Sequence, residues 1–247
     1  MTVVLVHGNP ETDAIWGPLR AALSRDDVVA LSPPGFGAPI PDGFDATYLS
    51  YRDWLERELE SIGGTIDLVG HDWGGGHVVN AVMHRPELVR SWATDVIGLF
   101  DPEYVWHDLA QVWQTPVAGE ELLEQMTAGT VDERAAALAP LGIGPDIAAE
   151  LVAAHGPEMS DAILRLYRSA IQPACAEAGR NLERAAARPG LSILATEDTY
   201  VGTPEMRRRA ADRAGARTDV LEGLGHWWMI EDPGRAALVL TRFWESL

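Results

Sequence analysis

Short apolar runs rich in β-branched residues fall at residues 2 to 6, 28 to 31, 65 to 69, 90 to 96, 191 to 195 and 217 to 221 of the 247-residue chain. Most are followed by apolar residues at helical spacing, as Val78, Val79, Val82 and Met83 recur before His84-Arg85-Pro86 stops them. Strand then helix, repeated, predicts an α/β fold: a parallel sheet of about six strands with helices on both faces. Right-handed crossovers bring the carboxyl ends of all the strands to one edge, and such sheets bind ligands there.

Between Phe100 and Arg188 the alternation stops. Helical patterns follow one another, punctuated by Pro116, Pro140, Pro145, Pro157 and Pro173. We expect residues 101–188 to be a helical cap inserted after the fourth strand, and residues 1–100 and 189–247 to form the core. A cap over the strand edge would exclude water from chemistry beneath it. The Ala/Arg-rich stretch from Ala174 to Arg188 reads as one amphipathic helix.

A formal net charge of -18, without any basic run, makes nucleic acid and anionic membrane surfaces poor partners and favours a small neutral molecule. The single cysteine, Cys175, excludes an internal disulfide and suits a reducing compartment. The amino-terminal apolar run lacks a basic flank and is too short for a signal peptide or a membrane span, so a cytoplasmic protein is expected. No cluster has metal-ligand spacing, and no cofactor is expected. Nothing in the sequence bears on oligomeric state. Nine tryptophans is a high count, and Trp106, Trp113, Trp227 and Trp228 flank segments where indoles commonly line apolar pockets.

The sharpest local feature is Gly70-His71-Asp72-Trp73-Gly74, set between a strand run and a helical pattern. A turn that tight exposes its central residue at the sheet edge and needs small flanking residues. His7-Gly8 and Asp198 also lie just past strand runs, so the predicted topology gathers them beside Asp72. Glu197 and Asp95 are alternatives to Asp198 as the acid. His7 and His71 are expected to support their loops.

On His7-Gly8-Asn9-Pro10, Gly70-His71-Asp72-Trp73-Gly74-Gly75, Asp198 and Gly225-His226-Trp227, in that order, the chain resembles the α/β-hydrolase fold enzymes. Within them it is similar to the branch with an aspartate nucleophile, the epoxide hydrolases and haloalkane dehalogenases. Two further strands usually precede the His-Gly turn in that family. Here residues 3 to 6 already correspond to the strand before it, so the resemblance implies a sheet lacking that early edge. It also implies that Asp72 attacks an electrophilic carbon and forms an ester, that His226 draws a proton from the water that hydrolyses it, and that Asp198 holds the imidazole.

The leaving group divides the two activities. Asn9 with Trp73 matches the halide-binding pair of many dehalogenases. Pro10-Glu11-Thr12 and the Gly70 and Gly75 pattern resemble epoxide hydrolases instead, and Tyr167, in Leu166-Tyr167-Arg168, resembles their second cap tyrosine, a proton donor. Leu109 stands where the first cap tyrosine is expected, leaving Tyr104 or His107 as substitutes. The resemblance therefore points to a small apolar electrophile, an epoxide before a haloalkane, in a pocket lined by residues such as Trp106, Trp113 and Trp227. Other activities of the fold and a noncatalytic ligand receptor remain the further alternatives.

Overall fold

The computed structural model describes residues 1–23 and 25–247. Six strands, β1 (Thr2–Val6), β2 (Val28–Leu31), β3 (Ile66–Gly70), β4 (Ser91–Thr94), β5 (Gly190–Ala195) and β6 (Ala216–Leu221), form one sheet. Their order is β2-β1-β3-β4-β5-β6, and every pairing is parallel. The run expected at 90 to 96 is shorter in the structure, because the Val96 N–H is taken by the Thr94 hydroxyl (3.2 Å) and leaves the ladder.

Period-two alternation sorts the strand side chains between two cores. Val4, Val6, Leu68 and Trp92 face one way, packing with Tyr51 and Leu55 of α2 (Tyr48–Ile62) and Val78, Val79 and Val82 of α3 (Trp73–His84). Val3, Leu5, Val69, Ala93, Leu191 and Ile193 face the other, packing with Leu19 of α1 (Gly17–Leu23) and with Leu240 and Phe243 near the carboxyl terminus. Both faces are covered, as an all-parallel sheet requires.

Strand order reverses direction around β1, which places the crevice between the carboxyl ends of β1 and β3. That crevice is where His7-Gly8-Asn9 leaves β1 and Asp72 leaves β3.

From β4 to β5 the described residues are helical or irregular, without a strand. The helices are α4 (Asp108–Gln114), α5 (Ala118–Thr127), α6 (Val131–Ala136), α7 (Pro145–Ala154), α8 (Pro157–Ser169) and α9 (Ala174–Ala178). The stretch expected as one amphipathic helix is broken: α9 passes into 3-10 turns over Gly179–Ala187, with Asn181 outside helical geometry. This stretch packs on α3, and the Trp92 indole donates to the Ala185 carbonyl (3.2 Å), so it joins the layer covering the sheet. After β5 come α10 (Pro204–Arg213), α11 (Trp228–Glu231) and α12 (Pro233–Glu245). No helix among the described residues is long and apolar enough to cross a membrane.

A Cβ at Gly74 would overlap the Val6 carbonyl oxygen. Gly74→Ala should therefore cost about 1–3 kcal/mol by urea unfolding, the range for inserting a methyl into packed backbone. A neutral effect would mean the turn can relax away from β1.

Candidate active site

Asp72 sits at φ 49°, in the left-handed region that costs a residue with a side chain about 1 kcal/mol or more. The strain is held because His71 N–H donates to the Val6 carbonyl (3.0 Å) and Asp72 N–H to Asp95 Oδ1 (3.1 Å). The carboxylate is thereby turned toward the β1 loop, where the Asn9 backbone N–H donates to Oδ1 (2.9 Å). Gly8 lies so close that a Cβ there would collide with Asp72 Oδ1. The other oxygen, Oδ2, faces His226 Nε2 at 3.7 Å, open to the cavity.

His226 Nδ1 donates to Asp198 Oδ2 (2.9 Å), and Asp198 Oδ1 accepts from the Tyr200 N–H (2.9 Å). Of the two alternatives, Glu197 is exposed beside Thr196, and Asp95 lies under the elbow serving His71. Burial opposes the charge on Asp198, but His226 and the Tyr200 N–H outweigh it and hold the carboxyl at about 2. Burial likewise pushes His226 down, and repulsion from His71 adds to that. The Asp198 and Asp72 carboxylates prevail and leave it above the ordinary histidine value. Asp72 itself is raised, mainly by burial.

Beneath this pair lies a charged chain that sequence reasoning did not place in the site. His71 is fully buried, with Nδ1 bonded to Asp95 Oδ2 and Nε2 to Glu11 Oε1 (3.2 Å). Burial favours its neutral form, yet the two carboxylates raise it well above the ordinary value, so His71 is an imidazolium donating from both nitrogens. Burial also opposes charge on Glu11, which His71 nonetheless holds at about 2. Glu11 further accepts from the Gly8 N–H (3.1 Å) and the Trp227 indole (2.6 Å), and Asp95 accepts from the Trp228 indole (2.7 Å). Trp227 and Trp228 both flank the loop that carries His226. His7 pairs with Ser32 (3.1 Å).

One atom each of Glu11, His71 and His226 falls within 4.8 Å of the others, a closeness no sequence spacing could show. A metal there would have to displace the proton of His71, because both its nitrogens already donate to carboxylates and neither offers a lone pair.

A cavity of about 670 Å³ opens over Asp72 and His226. Asn9, His107, Trp113, Tyr167 and Trp227 line it. Trp73, Tyr104 and Trp106 instead line a recess of about 20 Å³ that also touches Asp72, room for one water. Tyr167 reaches the strand edge from α8, and its hydroxyl oxygen accepts from Asn9 Nδ2 (3.1 Å). Burial and the charge on Asp72 push the Tyr167 hydroxyl well above the ordinary phenol range, while the Asn9 hydrogen bond acts against that. The Trp73 indole N–H is buried without an acceptor at hydrogen-bonding geometry.

The two substitutes for a first cap tyrosine are otherwise engaged. Tyr104 donates its hydroxyl to the Tyr200 carbonyl (2.9 Å). His107 Nδ1 accepts from Ala110 N–H (3.2 Å) and caps α4, and burial lowers the ring to about 4, leaving it neutral. The Trp106 indole is spent on the Ala170 carbonyl (3.1 Å).

A parallel sheet with a strained acid at a strand-to-helix elbow, facing a histidine that a second acid supports, is the framework of a hydrolase. The chain belongs to the Alpha/beta hydrolase family, whose model matches residues 3–237. It is 28% identical over 96 residues to the carboxylesterase YbfK of Bacillus subtilis, covering 36% of this chain and 31% of that one. It is 35% identical over 85 residues to a cis-3-alkyl-4-alkyloxetan-2-one decarboxylase of Xanthomonas campestris pv. campestris, covering 30% of this chain and 28% of that one. The chain thus spans about a third of the length of these curated relatives. Among solved structures it is similar to a loop variant of haloalkane dehalogenase DbeA from Bradyrhizobium elkanii, with a TM-score of 0.74 and 20% identity over 99% of this chain and 90% of that one. It is also similar to the B. subtilis carboxylesterase, with a TM-score of 0.66 and 20% identity over 98% and 83%. At these identities the likeness shows the fold.

The His226–Asp198 pair makes stability depend on pH. Asp198 is depressed from 3.8, so its contribution is complete above the unfolded value and lost as pH falls through about 2. His226 is raised, so its contribution is complete below 6.5 and lost as pH rises through the folded value. Asp198→Asn should cost about 2 kcal/mol in urea unfolding at pH 5, and the difference from wild type should shrink toward pH 2. A difference independent of pH would show that the charge on Asp198 does not matter to folding.

Proposed function

We propose that the protein is a hydrolase that forms a covalent ester on Asp72, with an epoxide as substrate and a vicinal diol as product. The observation that carries this reading is the Tyr167 hydroxyl resting on the Asn9 amide. One of the two N–H donors of that amide is aimed at the phenol oxygen, which fixes the hydroxyl at the strand edge and leaves its own proton free to point into the cavity.

Asp72 Oδ2 attacks a ring carbon, the C–O bond breaks, and Tyr167 supplies its proton to the departing oxygen. The Asn9 hydrogen bond favours the resulting tyrosinate. His226 Nε2 then takes a proton from water, which adds to Asp72 Cγ, and the negative charge gathers on Oδ1 against the Asn9 backbone N–H. Collapse expels the alkoxide, which receives the proton from His226. Asp72 leaves the cycle as a carboxylate, and the proton it sheds restores Tyr167. The helices from α4 to α8 act as the cap that holds Tyr167 over the strand edge and keeps bulk water out. The oxetan-2-one decarboxylase acts by its name on another strained ring containing a C–O bond, which is in keeping with an electrophile of this kind.

Haloalkane dehalogenation is the second reading, favoured by the Trp73 indole N–H, which has no acceptor, and by the recess beside it. The two separate on one experiment. His226→Gln should preserve attack and accumulate an adduct on the peptide carrying Asp72, visible by mass spectrometry. With Tyr167→Phe added, adduct formation from a styrene-type epoxide should slow by about a hundredfold or more, the scale of a lost general acid, and from a bromoalkane far less. Rapid adduct formation from the bromoalkane alone would establish the second reading, and no adduct from either would refute the ester.

Because His226 works on the ester as a base only when neutral, and Asp198 raises its value, the acidic limb of the kcat profile, which includes ester hydrolysis, should lie above pH 6.5. In Asp198→Asn the largest opposing charge is gone, so the limb should move to lower pH as the rate falls. A limb that stays in place would remove Asp198 from its supporting role.

A further inference from the structure

The cavity over Asp72 continues between the helices, where Met126, Leu138, Leu141, Leu151 and Val152 form its wall. Into that apolar wall α6 sets one cation, Arg134. One terminal nitrogen donates to the His155 carbonyl (2.9 Å), while Nε is buried with no acceptor. Among the described residues no carboxylate ion-pairs with it, although the chain has 37 acidic residues. The two arginines of α8 show the contrast: Arg165 pairs with Asp161 and Arg168 with Glu120.

The nearest acid in sequence, Glu133, is turned back on Thr130, accepting from its N–H (2.9 Å) and hydroxyl (3.0 Å) to cap α6. The neighbouring His155 is lowered to about 4, first by burial and then by Arg134, so it stays neutral and adds no second charge. A guanidinium facing an apolar wall without a counter-ion is costly to desolvate, and an entering anion would relieve that cost. Its planar fork fits a carboxylate with two parallel hydrogen bonds.

We propose that Arg134 anchors a carboxylate at the far end of the substrate. The substrate class is then an acid with an apolar chain that carries its electrophilic carbon, in the reading above an epoxide, at the end reaching Asp72. This rests on that reading for the electrophile and not for the anchor. A cavity of about 670 Å³ is within the usual size for enclosing such a molecule.

The test uses the full chain with Asp72→Asn, so that binding is measured without turnover. Decanoate and decan-1-ol are titrated separately, reading the fluorescence of Trp113 and Trp227, which line the cavity. Decanoate should bind about tenfold or more tightly than the alcohol, about 1.4 kcal/mol. Adding Arg134→Met should bring the ratio near one, and Arg134→Lys should restore part of it. Equal binding in the parent, or a ratio unchanged by Arg134→Met, would overturn the anchor. An intact preference in a protein whose wild type leaves 9,10-epoxydecanoate untouched would uphold the anchor and refute the epoxide chemistry.

Discussion

Everything at the strand edge depends on how closely the β1 loop and the β3 elbow approach. Gly8 lets the β1 loop lie against the Asp72 side chain, and Gly74 lets the elbow lie against the Val6 backbone, contacts that a Cβ on either would prevent. That contact sets Asp72 Oδ1 on the Asn9 N–H and forces Asp72 into a strained conformation that solvent alone would not maintain. The position is bought with van der Waals contact and hydrogen bonds from β1, which is why the amino-terminal strand, far away in sequence, governs the carboxylate.

Electrostatics supply the second layer. The imidazolium of His71 lies with its ring centre 4.5 Å from that of His226, and its repulsion discourages a proton there while Asp198 and Asp72 encourage one. Both influences act in a buried region where screening is weak. Glu11 and Asp95 neutralise His71 on both sides, so the cation is kept without being free. The Trp227 and Trp228 indoles donate to these same acids, which ties the His226 loop to the elbow through charge-assisted hydrogen bonds.

The sheet was legible because strand and helix periods alternate plainly, and Asp72 because glycines at fixed offsets mark a turn only small residues can make. Asp198 could be distinguished from Glu197 only by a resemblance, since both follow β5 and differ in which way one residue points. The chain through Glu11, His71 and Asp95 was hidden for another reason: each residue has an ordinary local role in sequence, and their charges meet only after three strand ends converge. Arg134 gave no signal either. It lies on a short, polar-looking helix, and the lack of a partner is a property of the packed molecule. The break at Asn181 was equally invisible, because the Ala/Arg pattern keeps helical spacing through it.

Asn9 binds Asp72 through its backbone and Tyr167 through its side chain. The first contact is internal to the sheet edge, whereas the second spans from it to α8. Any outward swing of α8 to admit a substrate must break the second and can leave the first intact. In the proposed mechanism Asp72 would therefore stay in place through such a swing, but the Tyr167 acid would lie over it only when the helices had returned. Timing, not proximity alone, would then protect a C–O bond from half-completed attack, and closure and proton supply become one event.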